Sequence, residues 1–263
     1  MGKLPDSMLD KLLAFATEAA QQAGALTLKY FRTDLEVDSK PDHTPVTVAD
    51  RESEKLLRQK IEERYPGHGI LGEEFGAVRE GAGLRWLLDP IDGTQSFIRG
   101  VPFYGVMMGL EQEGEPVLGV VHFPALGETL AARSGGGATW NGKPARVSRI
   151  SEIGDAALLL TDPRGFAPAG REDAYQRLRT VVKFERTWGD CYGHALVATG
   201  RADVMLDPLL NEWDCCALLP ILEEAGGRFT DWSGKRTTRG GSGISTNGAL
   251  HDAVMQLVNF QFA

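Results

Sequence analysis

A layered α/β protein built on a mixed sheet is what the sequence predicts, and three observations predict it. An amphipathic helix opens the chain, three β-patterned runs follow one another between Gly105 and Arg133, and strand and helix signals alternate from Ser151 to Ala225. At 263 residues the chain can bury a large core without staples. The expectation is one domain over residues 1–263, with 150 as the place where it would divide into subdomains 1–150 and 151–263.

Ser7 is the expected N-cap of the first helix, in which Leu9, Leu12, Leu13, Ala16, Ala19, Ala20, Ala23 and Leu26 recur at helical spacing to about Phe31. Residues 38–50 hold two prolines and read as a loop and a short extended segment. Asp50 then caps a helix that reaches about Tyr65, with Leu56, Leu57 and Ile61 inward. Ile70-Leu71-Gly72 is a short strand ending in Glu73 and Glu74. Trp86-Leu87-Leu88 is a buried one, because Pro90 removes a donor and Gly93 permits a sharp turn. Gly93-Thr94 opens a helix. Residues 106–110, 116–123 and 128–133 form three antiparallel strands, and Gly135-Gly136-Gly137 is a turn, since no Lys-Ser/Thr follows it. Beyond Ser151 come strand 156–161, helix 171–180, strand 181–186, helix 189–199, strand 202–207 and helix 213–225, closed by Gly226-Gly227.

Composition excludes several function classes. With 28 basic and 36 acidic residues the net charge is −8, and no basic run follows a nucleic-acid backbone, so nucleic acid is not an expected partner. Cys191, Cys215 and Cys216 lack zinc or disulfide spacing. No signal peptide, myristoylation signal or bilayer-length apolar run is present, which predicts a cytoplasmic protein with no membrane partner.

The chemistry gathers around residues 86–105. Asp89 and Asp92, three residues apart on one turn, can face one point, and clustered carboxylates repel unless a hard cation sits between them. The Gly93-Thr94 helix start offers unpaired N–H groups of the kind that hold phosphate. Turn formation alone is the competing account of Asp-Gly. Glu73, at the end of its strand, is a second carboxylate source, whereas Glu74 reads as solvated. Asp214, in the first turn of its helix, serves either the site or the helix dipole.

These pieces together resemble the inositol monophosphatase family of magnesium-dependent phosphatases. The matching motifs are Asp42-His-Thr-Pro-Val-Thr-Val-Ala-Asp50, Gly72-Glu73-Glu74, Asp89-Pro-Ile-Asp-Gly-Thr94, Trp213-Asp214 and Glu224-Ala-Gly-Gly227. The resemblance implies an α/β/α/β/α sandwich, a homodimer and two or three Mg²⁺ per site. It implies that Glu73, Asp89 and the carbonyl of Ile91 bind one ion, that Asp89, Asp92 and Asp214 bind a second, and that Glu73 anchors a looser third through water. The phosphate would accept N–H bonds from Gly93 and Thr94, and Thr94 paired with Asp50 would activate the attacking water.

The stretch Trp188-Gly189-Asp190-Cys191-Tyr192-Gly193, with Asp207-Pro208 and residues 229–232, resembles the histidinol-phosphate phosphatases of the family. The small phosphorylated substrate is then expected to be L-histidinol phosphate, whose ammonium Asp190 and Asp207 would pair with. Inositol phosphate or another sugar or nucleotide phosphate is the alternative, and a catalytically silent regulatory member is a third reading. Asp190 equally suits a helix cap, and His194 reads as a helix-face residue with no metal role.

Overall fold

The structure is a computed structural model and describes residues 2–41 and 44–260. Helix α1 (Asp6–Thr27) is followed by the hairpin of β1 (Val37–Ser39) and β2 (Pro45–Thr47), which leads straight into α2 (Val48–Arg64). Then come β3 (Gly69–Gly72), β4 (Gly76–Val78), the long β5 (Leu84–Asp92) and the short helix α3 (Thr94–Ile98). An antiparallel meander follows: β6 (Gly105–Gln112), β7 (Glu115–Phe123), β8 (Glu128–Arg133), β9 (Gly137–Trp140) and β10 (Lys143–Pro144). The second half runs β11 (Ala157–Leu160), α4 (Glu172–Val181), β12 (Phe184–Arg186), α5 (Asp190–Ala198), β13 (Val204–Asp207), α6 (Glu212–Cys216) and α7 (Leu218–Glu224). It closes with β14 (Arg228–Thr230), β15 (Gly243–Thr246) and α8 (His251–Val258).

These elements make five layers. An eight-stranded sheet, β10-β9-β8-β7-β6-β5-β3-β4, carries α1 and α2 on one face. A five-stranded sheet, β12-β11-β13-β15-β14, carries α4 and α8 on its outer face. Helices α5 to α7 fill the space between the sheets. Period-two alternation does the sorting: Val106, Met108 and Leu110 of β6 join the core under α1, while Met107 joins the core between the sheets. That middle core also draws on Leu159 and Met205 of the second sheet.

Gly109 and Gly119 are cross-strand partners at the centre of β6 and β7, directly beneath the junction of α6 and α7. A Cβ on Gly119 would lie 2.0 Å from the Ala217 carbonyl oxygen, and one on Gly109 would lie 2.5 Å from Cys216 Sγ. Only the missing side chains let the helices settle this close.

Several sequence expectations need correction. Ser7 lies inside α1, because the extended Pro5 is the N-cap and the helix starts at Asp6. The N-cap of α2 is Thr47, not Asp50; Asp50 is the third helical residue and closes a capping box with it. Strand β5 does not stop at Pro90 but runs on to Asp92, since a register shift between Asp89 and Asp92 absorbs the missing N–H. The helix over 213–225 is two helices broken at Ala217, where Pro220 offers no N–H to the turn before it. Asp42 and His43, which begin the first motif, lie outside the described residues.

Candidate active site

Three aspartates converge where the sheet meets the middle helices. Asp89 lies on β5, Asp92 past its bulge, and Asp214 is the third residue of α6. Each is pinned through one oxygen by a backbone N–H: Ile91 donates to Asp89 Oδ1 at 3.0 Å, Cys191 to Asp92 Oδ2 at 2.5 Å, and Asn211 to Asp214 Oδ2 at 2.7 Å. The carboxylates can offer one oxygen each within 4.8 Å of one another. Asp214 therefore both caps its helix and joins the site.

The electrostatics follow from this crowding. Burial, then the charge of Asp214, raises Asp92 to about 7, and burial, with Glu73 adding to it, raises Asp214 to about 7. Asp89 is pushed well above the carboxylate range by burial and by the charges of Glu73, Asp92 and Asp214. An all-oxygen donor set that repels itself suits a hard divalent cation.

Glu73 lines the same cavity but stands outside that cluster. Its Oε1 is 2.7 Å from Lys40 Nζ, and the same ammonium lies 2.6 Å from Glu74 Oε1. Glu74, expected to be solvated, is thus ion-paired. The loop they share is held from below by Glu54 of α2, fully buried, which accepts the N–H groups of Glu74 at 2.7 Å and Phe75 at 3.3 Å.

Asp50 gives Oδ2 to the capping box, accepting from Thr47 N at 2.8 Å, and turns Oδ1 towards Thr94 Oγ1 at 3.4 Å. The Thr94 hydroxyl is also 3.0 Å from the Ile91 carbonyl oxygen. Burial raises Asp50 to about 6, against the lowering effect of its bonds from Thr47. Gly93 adopts φ 82° and is the N-cap of α3.

Asp190 faces Gly93. A Cβ on Gly93 would lie 2.9 Å from Asp190 Oδ2, so the glycine makes room for the carboxylate. Asp190 does not cap α5 with its side chain; Gly189 is the N-cap, and Asp190 sits at φ 52° with its N–H on Thr161 Oγ1 at 2.8 Å. Its carboxyl is raised by burial and by Asp92 and Asp207. A cavity of about 170 Å³ opens beside it, walled by Asp92, Asp207, Asp214 and His194 among others. Asp207 is buried at the end of β13, with its Oδ2 3.1 Å from His194 Nε2.

Sequence reasoning assigned no site role to Lys40 or Glu54 and read His194 only as a helix-face residue. Lys40 and Glu54 act across 20 or more residues of chain, and nothing local marks them. The spacing of His194 on α5 puts it four residues beyond Asp190, on the same helical face, and that signal was available.

The inositol monophosphatase family model matches residues 8–262. The chain is 48% identical over 240 residues to a histidinol-phosphatase of Chlorobaculum parvum, covering 90% of this chain and 93% of that protein. It is 40% identical to a histidinol-phosphatase of Mycobacterium tuberculosis, covering 95% and 98%. Among solved structures, an inositol monophosphatase from Zymomonas mobilis superposes with a TM-score of 0.86 at 30% identity, covering 95% of this chain and 98% of that one.

Proposed function

Because the chain belongs to the inositol monophosphatase family, we propose that it is a Mg²⁺-dependent phosphomonoesterase that hydrolyses L-histidinol phosphate to L-histidinol and phosphate. The observation that carries the chemistry is the convergence of Asp89, Asp92 and Asp214, each tied down by a backbone N–H and each offering a carboxylate oxygen to the cluster. The names of the two similar histidinol-phosphatases carry the substrate.

Asp89, Asp92 and Asp214 would hold the ions, two or three in number, with Glu73 and the Ile91 carbonyl completing the set once Lys40 gives way. Bound there, the ions supply positive charge against the phosphate and the departing alkoxide oxygen. The N–H groups of Gly93 and Thr94 orient the phosphate. When Thr94 Oγ1 donates to Asp50 Oδ1, its lone pairs are free to accept a hydrogen from the attacking water. A carboxyl raised to about 6 is a base poised near neutral pH. Asp190 and Asp207 would face the ammonium of the leaving group.

The same reading makes the protein a homodimer in the cytoplasm. All three cysteines are free and buried, as a reducing compartment allows, and among the described residues no helix is long and apolar enough to cross a membrane. A phosphate-release panel tests the substrate, using histidinol phosphate, inositol 1-phosphate, fructose 1,6-bisphosphate and adenosine 3′,5′-bisphosphate. Histidinol phosphate is expected to lead in kcat/KM by about tenfold or more, the scale of one charge-assisted contact. Faster turnover of inositol 1-phosphate would overturn the substrate and leave the phosphatase chemistry standing.

A further inference from the structure

The wall of the cavity beyond the acid cluster contains a buried polar chain that crosses three elements. Ser245 Oγ on β15 is 2.6 Å from His194 Nδ1 on α5, and His194 Nε2 is 3.1 Å from Asp207 Oδ2 on β13. Relative exposure is 0% for Ser245, 1% for His194 and 4% for Asp207, so no solvent competes for these bonds. The backbone fixes the ends, because β13 and β15 are hydrogen-bonded neighbours with Met205 opposite Ser245 and Asp207 opposite Gly243. The indole of Trp232 further secures Asp207 by donating to its carbonyl oxygen at 3.0 Å.

Hydrogen-bond inventory gives the chain a direction. An ionised Asp207 can only accept, so His194 Nε2 carries the hydrogen and donates it. In the neutral ring Nδ1 then accepts, and Ser245 supplies the hydroxyl hydrogen. Asp207 is left with Oδ2 committed and with Oδ1, which has no hydrogen-bond partner among the described residues, available to the cavity. We infer that His194 is a positioning residue that selects the leaving group, by locking the Asp207 carboxylate so that its second oxygen meets a cationic group.

This rests on the proposed hydrolysis of a cationic phosphate ester, and the test separates the two. His194→Gln keeps an N–H where Nε2 stood; His194→Asn keeps one only near Nδ1. Kinetics of each variant are read on histidinol phosphate and on a neutral ester, glycerol 2-phosphate. His194→Asn is expected to raise KM for histidinol phosphate about tenfold with kcat within about twofold, and to shift KM for the neutral ester by less than about twofold. His194→Gln should restore the preference to within about threefold. In an Asp207→Asn background, His194→Asn should add no further loss of preference.

Equal losses on both esters, or no rescue by glutamine, would make His194 a packing residue and overturn the inference. Absence of any preference in the unmodified protein would instead sink the substrate reading. If His194→Asn does not fold, Ser245→Ala carries the test, since it removes only the far end of the chain. It should cut the preference about threefold, and an unaltered ratio would count against the chain.

Discussion

At Asp92 the carboxylate is held by the Cys191 N–H and stands in one cluster with Asp89 and Asp214. Asp92→Asn keeps an oxygen for Cys191 and removes the charge. With Mg²⁺ its kcat should fall by about 100-fold or more, as losing a clamp on developing charge does. Without metal it should melt higher than the parent at pH 8, because one of three repelling charges is gone. Activity within about tenfold of the parent would take Asp92 out of the ligand set. Asp190 gives a second prediction. Its φ of 52° is one that Asn tolerates as well as Asp, so Asp190→Asn alters charge with little change in backbone. It should lower kcat/KM for histidinol phosphate by about 10 to 100-fold and for a neutral ester by less than about threefold. Matching losses on the two would assign Asp190 to the fold alone.

Helix α2 reaches the site twice along one face, through Asp50 at its third position and Glu54 one turn on. Glu54→Ala orphans the N–H groups of Glu74 and Phe75 and removes the 2.7 Å ion pair to Arg58, which keeps its bond to the Gly76 carbonyl oxygen. These donors are only partly buried, so losing their partner costs about 1 kcal/mol each, the lower end of the range for an unmade bond, and a chain of this size should lose several degrees in Tm, about 5 °C. The loop that carries Glu73 should loosen with it, so the Mg²⁺ concentration for half-maximal activity should rise several-fold. A lower Tm with unshifted Mg²⁺ dependence would leave Glu54 as scaffold only. Legibility divides at this scale. The run from Asp89 to Thr94 could be read because strand, acids, Pro and Gly are all local signals. Asp214 stayed ambiguous because a capping acid and a ligand look alike in sequence, and here one residue closes the capping box and also stands in the acid cluster. Strands β9, β10, β14 and β15 span two to four residues, too short for a period to show.

Across the whole molecule the acid cluster ties stability to pH. Asp92 and Asp214 titrate near 7 in the fold against an ordinary 3.8, so between those values the folded protein binds more protons than the unfolded chain. Stability of the metal-free protein must then fall as pH climbs through that window and level off above it. Mg²⁺ bound as proposed would hold the carboxylates ionised and would be bound by the folded state alone, so its stabilisation would grow over the same range. The expected result in thermal scans is a metal-free Tm lower at pH 8 than at pH 5, and a larger Mg²⁺-induced rise at pH 8. An equal or larger rise at pH 5 would contradict the cluster as the metal site. The layered architecture was foreseeable from the alternation after Ser151, whereas the meeting of its two halves was not, since it depends on Gly109 and Gly119 lying opposite each other beneath Ala217.

That seating of helices on glycines has a consequence for how the protein is made. The ribosome delivers Asp89 and Asp92 early and Asp214 late, and the amino-terminal sheet can form while the rest of the chain is still being synthesised. Until α6 and α7 come down onto β6 and β7, the nascent chain carries two of the clustered acids and not the third. On the proposed ligand set, hydrolytic activity would be expected only after synthesis has passed the middle layer and the two halves have joined.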